Sequence, residues 1–200
     1  MPHPIEQAAD TLIAALRRHD GSAVLAADGE VLLAGLWSSH DAEQGRLTGR
    51  YVTGAGALLR LELEVTQPGR WCTLSFALGD AALAEDAVIG VVADLRASAP
   101  CEIGLGLRSV TAGGARDTGF AERFAAGPES RAQAALLTVA AASPLTDPAR
   151  RRLLQLQMPQ QSGWVEIRDL RLFVQPATGM AESIAVSPPE AAVPPEASAG

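Results

Sequence analysis

The stretch WVEIRDLRLFV, residues 164–174, carries two apolar sets of opposite parity. Val165 and Ile167 occupy odd positions, whereas Leu170, Leu172 and Val174 occupy even ones. Side chains of a flat strand alternate between faces, so a change of parity sends half of such a set to solvent. One extra residue at Arg168-Asp169 removes the conflict. A β-bulge in an antiparallel pair resets the register and turns both sets inward. Bulges of this kind are used on edge strands and at strand corners of β-sandwiches, and that is the fold the segment predicts.

Working outward, the rest of the chain reads mostly as strands. ALLRLELEV (57–65) places Leu59, Leu61, Leu63 and Val65 inward and Arg60, Glu62 and Glu64 outward. WCTLSFALG (71–79) sets Cys72, Leu74, Phe76 and Leu78 on one face. AVIGVVADLRA (87–97) is apolar on both faces at first, as a central strand should be. CEIGLGLRSV (101–110) points Cys101, Ile103, Leu105 and Leu107 inward. Gly104 and Gly106 lie on its other face, where glycines leave room for close backbone approach or a ligand. TAGGARDTG reads as a loop, and FAERFAAG fits either a strand or a helical turn. AALLTVAAA (134–142) and LLQLQMP (153–159) complete the set, with Leu154, Leu156 and Met158 set against Gln155 and Gln157.

Two segments precede these. IEQAADTLIAALRR (5–18) places Ile5, Ala9, Leu12, Ile13 and Leu16 on one helical face. SAVLAADGEVLLAGLW (22–37) reads as a hairpin with Asp28-Gly29 as a type I′ turn. Many short strands with turn signals about every ten residues imply an antiparallel β-sandwich or barrel. The expectation is a mainly β, jelly-roll-like antiparallel sandwich over residues 22–176, with an N-terminal helical segment at 1–21. Residues 177–200, rich in Pro and Ala with no basic or aromatic side chain, bury too little apolar surface to offset ordering entropy. They read as a disordered tail.

Composition excludes several functions. The net charge of -7 argues against a nucleic-acid partner, which calls for a basic patch. No apolar run reaches the roughly 18 residues of a transmembrane helix. MPHPIEQAAD lacks the basic start and apolar stretch of a secretory signal, which points to a cytoplasmic address. Cys72 and Cys101 then read as buried free thiols. All 16 basic residues are arginines, and their one cluster, Arg150-Arg151-Arg152, reads as a solvated turn. Catalytic signatures such as Gly-x-Ser-x-Gly, a phosphate loop or His-Glu-x-x-His are missing. An enzyme would need His40 with its polar neighbours Ser38, Ser39, Asp41 and Glu43, or paired carboxylates such as Glu62 and Glu64. The ordinary explanations are a polar loop and a solvated strand face.

WVEIRDLRLFV resembles the closing strand of carbohydrate-binding-module and galactose-binding-like jelly rolls, which end in an aliphatic residue, a spacer, an aspartate and alternating aliphatics. VADLRASAPCEIGLGLRSV is similar to the paired central strands of the same families. LWSSHDAEQGRLTGRYVTGAGALLRLEL resembles β-sandwich accessory domains of polysaccharide synthesis. Trp37, Ser38, Glu43 and Gly45 match that pattern, and Leu47 stands where a second Trp is found. The similarities span roughly residues 35–174. They imply a non-catalytic binding module with a carbohydrate ligand. The alternative is a protein-interaction or structural accessory module, for example one linked to envelope polysaccharide synthesis or an assembly. The resemblance also places Asp169 where such jelly rolls hold a structural calcium, although calcium needs several more oxygens. The other explanation is that Asp169 satisfies backbone donors or pairs with an arginine. Sugar rings stack on aromatic side chains, so Trp37, Tyr51 and Trp164 are the candidate platforms. Arg108 and Asp117, flanking the TAGGARD loop, are the candidate polar contacts. Trp71 also begins a strand off its apolar parity, where it either sits at a rim or caps the core.

Overall fold

The computed structural model describes residues 1–54 and 56–177. Its elements run, in chain order, α1 (Pro4–Arg18), β1 (Gly21–Val24), β2 (Asp28–Val31), β3 (Leu33–His40), β4 (Arg46–Gly54), β5 (Ala57–Gln67) and β6 (Cys72–Ala77). They continue with β7 (Val88–Ala97), β8 (Cys101–Thr111), β9 (Gly114–Ala126), β10 (Arg131–Thr138), β11 (Arg151–Gln157) and β12 (Gly163–Gln175). The strands form two six-stranded sheets, ordered β1-β4-β5-β12-β7-β10 and β2-β3-β6-β11-β8-β9. Paired neighbours are antiparallel throughout. The sheets face each other as a sandwich. The tail predicted to be disordered lies, except for Ala177, outside the described residues.

The parity change in β12 is a bulge. Ile167 pairs with Leu95 of β7 and Asp169 with Asp94, so Arg168 is the extra residue. Val165, Ile167, Leu170 and Leu172 are consequently all buried. The bulged strand is not at an edge, however. It lies inside its sheet, between β5 and β7.

Helix α1 begins where chemistry favours it. Pro4 occupies the first turn, the His3 ring accepts from the Ile5 N–H at 3.3 Å, and Glu6 accepts from the His3 N–H at 2.6 Å. The five residues of its predicted apolar face are its buried residues. They pack against β4, β5 and β12 of one sheet and β3 and β6 of the other. The helix thus seals the core where the two sheets part. Glu6 also accepts from the Val174 N–H at 2.8 Å, tying the helix to the last strand. No helix among the described residues is long and apolar enough to cross a membrane.

Three local expectations are corrected. Asp28-Gly29 is not a hairpin turn: β1 pairs with β4 in one sheet, and β2 pairs with β3 in the other. The chain crosses between sheets at residues 25–27, where Leu25 plugs the core, and the tight reversal falls at Leu32, with φ +62°. The loop predicted around TAGGARDTG shrinks to the Ala112-Gly113 turn, since Arg116, Asp117 and Thr118 belong to β9. FAERFAA (120–126) lies in that strand and turns Phe120, Phe124 and Ala126 inward. The arginine cluster is not a solvated turn either, because Arg152 is 1% exposed. Its guanidinium donates to the carbonyls of Ala81 (2.7 Å), Pro144 (3.2 Å) and Asp147 and to the Ser109 hydroxyl. One side chain therefore pins the loops before β7 and before β11.

Candidate functional site on the outer face of the β2-β3-β6-β11-β8-β9 sheet

Alternation fixes what this face displays. Leu36, Leu74, Phe76, Leu154, Leu156, Leu105 and Leu107 point into the core. The residues between them point out, in rows set by the strand register. One row runs Trp37, Ser75, Gln155, Gly106 across β3, β6, β11 and β8. The next runs Ser39, Thr73, Gln157, Gly104, with Arg123 of β9 beyond. The floor is thus made of small and amide side chains. A β-carbon at Gly104 would lie 2.6 Å from the Gln157 Oε1 and 3.1 Å from an Arg123 terminal nitrogen. The room that this glycine leaves is therefore taken by the protein's own polar side chains.

Trp71 precedes Thr73 by two and shares its outward parity. It is 40% exposed, the most open ring on this face. Its indole N–H donates to the Ser39 hydroxyl at 3.4 Å. The Arg70 guanidinium lies over the ring, 4.9 Å from its centroid, in cation–π contact. Beside the ring opens a cleft of about 290 Å³, lined in part by Glu102, Arg123, Gln157 and Gln160. A larger cleft of about 690 Å³, at His40, Arg46, Thr48 and Glu64, has no tryptophan, tyrosine or phenylalanine in its lining.

Asp41 holds Arg70 in place. It is 1% exposed and accepts from Arg70 Nε at 2.9 Å and from the backbone N–H groups of Glu43, Gln44 and Arg70 at 3.1–3.2 Å. Burial alone would raise its pKa. The hydrogen bonds from the Arg70 guanidinium and from the Gln44 and Arg70 amides outweigh burial and hold the carboxyl down at about 2. A depressed folded-state pKa means that the carboxylate stabilises the fold above its unfolded value near 3.8, and that this contribution fades as pH falls toward 2. Asp41→Asn should therefore melt below the parent protein at pH 7, and the gap should close between pH 4 and pH 2 in thermal melts. A gap unchanged at pH 2 would contradict this account.

Sequence-predicted residues divide among three places. Trp37 lies on this face, half-buried, with its indole N–H on Asp28 at 2.6 Å and Arg151 over the ring at 5.4 Å. Arg108 and Asp117 share the face across β8 and β9, but they are spent on each other in a two-pronged pair, both contacts at 2.7 Å. Trp164 stands on the outer face of the opposite sheet, half-buried between Arg60 at 4.4 Å and Arg96 at 5.8 Å. Tyr51 is corrected outright. It shares the parity of Leu47 and lies in the core at 0% exposure, where burial pushes its phenol well above the usual value. No ligand can stack there.

Asp169 does not fit a calcium site. One carboxylate oxygen accepts from Arg17 and the other from Arg171, the latter at 2.9 Å. Burial would raise its pKa, but hydrogen bonds from Arg171 and Arg17 keep it below the usual carboxylate value. Two cations occupy the oxygens that a metal would need. No group of three or more His, Cys, Asp or Glu is placed to hold a metal among the described residues. Several residues of the enzyme readings are engaged in other contacts. His40 Nδ1 bonds the Ala26 carbonyl at 3.0 Å, the Ser38 hydroxyl donates to the same carbonyl at 3.1 Å, and Glu62 pairs with Arg50 and Arg60. Both cysteines are free thiols. Cys72 is buried, which pushes it up to about 12, and Cys101 is half-buried and raised for the same reason.

No protein-family model and no curated protein matches the chain. Among solved structures, a CBM4 carbohydrate-binding module aligns with a TM-score of 0.51 over 78% of this chain and 88% of its own, at 10% identity. The chain thus shares a β-sandwich fold with this carbohydrate-binding module. The CBM1 of BiXyn10A aligns at 0.46, with 12% identity, over 77% of this chain and 96% of its own. The CBM22-1 xylan-binding domain of Paenibacillus barcinonensis Xyn10C aligns at 0.44, with 12% identity, over 80% and 99%. Within this fold, Trp71 is the most open aromatic ring among the described residues.

Proposed function

We propose that the chain is a non-catalytic glycan-binding module whose ligand lies along the outer face of the β2-β3-β6-β11-β8-β9 sheet. The observation that carries this reading is Trp71: an open indole beside a cleft lined by Gln157, Gln160, Glu102 and Arg123. An aromatic face suits the apolar side of a pyranose ring, and amide, carboxylate and guanidinium groups suit its hydroxyls. Trp37, further along β3, extends the strip. The carbohydrate-binding-module fold supports the reading. A protein-interaction role rests on one contrasting feature: Leu136, 52% exposed on the outer face of the other sheet, opposite Gly90, over which the Phe173 ring lies.

The test is a broad glycan array, with and without calcium, followed by titration of the best ligand. Trp71→Ala should weaken binding by about tenfold or more, the loss of a ring-stacking contact of roughly 1–2 kcal/mol. Trp37→Ala should weaken it less. Trp164→Ala, on the opposite face, should leave it unchanged, and added calcium should have no effect. Binding abolished by Trp164→Ala would move the site to the other sheet. A folded sample that binds no glycan would end the proposal and send the search to protein partners through the Leu136 face.

A further inference from the structure

Donor and acceptor counting on the Trp71 face goes beyond glycan binding in general. Four arginines stand there: Arg70, Arg108, Arg123 and Arg151. Asp117 has both oxygens on Arg108. Asp41 lies beneath the surface and takes only the Nε of Arg70 from its side chain, with Glu43 4.0 Å from one terminal nitrogen. Glu102 takes the Nε of Arg123 at 3.0 Å. Arg151 has no ion-pair partner among the described residues and rests over the Trp37 ring. One terminal nitrogen of Arg70 and both of Arg123 are therefore unspent at the cleft, as is the guanidinium of Arg151 at the far end of the face, whereas Asp28 and Glu30 of β2 accept from the Trp37 indole and the Gly35 N–H. Both tryptophans of the face carry one of these cations on the ring. A neutral sugar must share such a platform with a charged group, while a sugar with an anionic substituent meets planar forks that match it.

We infer that the glycan bound on this face carries an anionic group, a uronate carboxylate or a sulfate ester, held between Arg70 and Arg123 in the cleft beside Trp71. This rests on the glycan-binding reading above and narrows its ligand. The selectivity is local. The chain's net charge of -7 repels polyanions at long range, so contact and not steering favours the acidic ligand.

The full chain should be titrated with matched pairs at about 0.15 M salt, where long-range fields are screened beyond roughly 8 Å. The pairs are uronate polymers against their carboxyl-reduced forms and sulfated polymers against their desulfated forms. The acidic member of one pair should bind about tenfold tighter, as expected for charge-assisted bidentate bonds. The pair showing the preference identifies the anion. Arg123→Gln strands only the exposed Glu102 carboxylate and should lower the acidic-to-neutral ratio by about threefold or more. Arg70→Gln should do the same, with a thermal melt to confirm folding. Equal affinity within every pair, or preference for the neutral member, overturns the inference and leaves the glycan reading standing. Binding to no member of any pair overturns the inference, and the broad glycan array decides the glycan reading separately.

Discussion

Replacing Arg152 by methionine should lower the unfolding free energy by about 3–5 kcal/mol, the range for losing one side of a buried charged network. Methionine keeps much of the length and apolar stem, so the loss isolates the guanidinium. Without it, the carbonyls of Ala81, Pro144 and Asp147 and the Ser109 hydroxyl lose their common donor. Each buried acceptor left unpaired costs about 1–3 kcal/mol, reduced where loop movement admits water. Arg152→Lys should recover less than half, because one ammonium cannot span acceptors arranged around a planar fork. Urea unfolding measures both. A loss below about 1 kcal/mol for the methionine variant would mean that the two loops hold themselves. The effect should reach the candidate site, because Arg152 fixes the start of β11 and Arg151, the preceding residue, lies over Trp37.

Gly49→Ala should cost about 3 kcal/mol, at the upper end for overpacking. A β-carbon there would fall 2.1 Å from the Glu62 carbonyl oxygen and 3.2 Å from its carbon. Those are main-chain atoms of the neighbouring strand, so no rotamer relieves the clash. Either β4 lifts off β5 or its register slips, and a one-residue slip would turn Tyr51 out of the core. Gly119→Ala is the matched control. Nothing lies within 4 Å of its would-be β-carbon, so it should be neutral or stabilise by up to about 0.4–1 kcal/mol through the unfolded chain. Equal losses for the two variants would point to general strand glycine effects and away from the close approach.

Much of this architecture is legible in local pattern. The helix face of α1, the alternation of β5, β6 and β11 and the bulge at Arg168 follow from periodicity, because burial on one face imposes it. Pairing partners do not, since they depend on contacts far apart in the chain. Asp28-Gly29 has hairpin chemistry, yet Asp28 is drawn into pairing with Ser39 and Gly29 with Ser38. Tyr51 illustrates a signal passed over: its spacing from Leu47 is even, which places it inward. Trp71 illustrates the reverse. Its parity matches Thr73 and Ser75, polar residues of an outer face, and so marks an open ring over a core cap. Arg152 has the inward parity of Leu154 and Leu156, but a charged residue at such a position reads as solvated until its acceptors, from distant loops, are in view.

The position of β12 has a consequence for how the protein is made. It is the last strand of the described chain, yet it sits inside its sheet, between β5 and β7. During synthesis those two strands emerge from the ribosome long before their common partner. Until residue 175 is free, the apolar faces of Leu59, Leu61, Ile89 and Val91 lack the neighbour that completes their sheet, and two strand edges lie open to foreign pairing. The sandwich closes only when its end arrives, so nascent chains stalled before Gly163 form the species most in need of a chaperone.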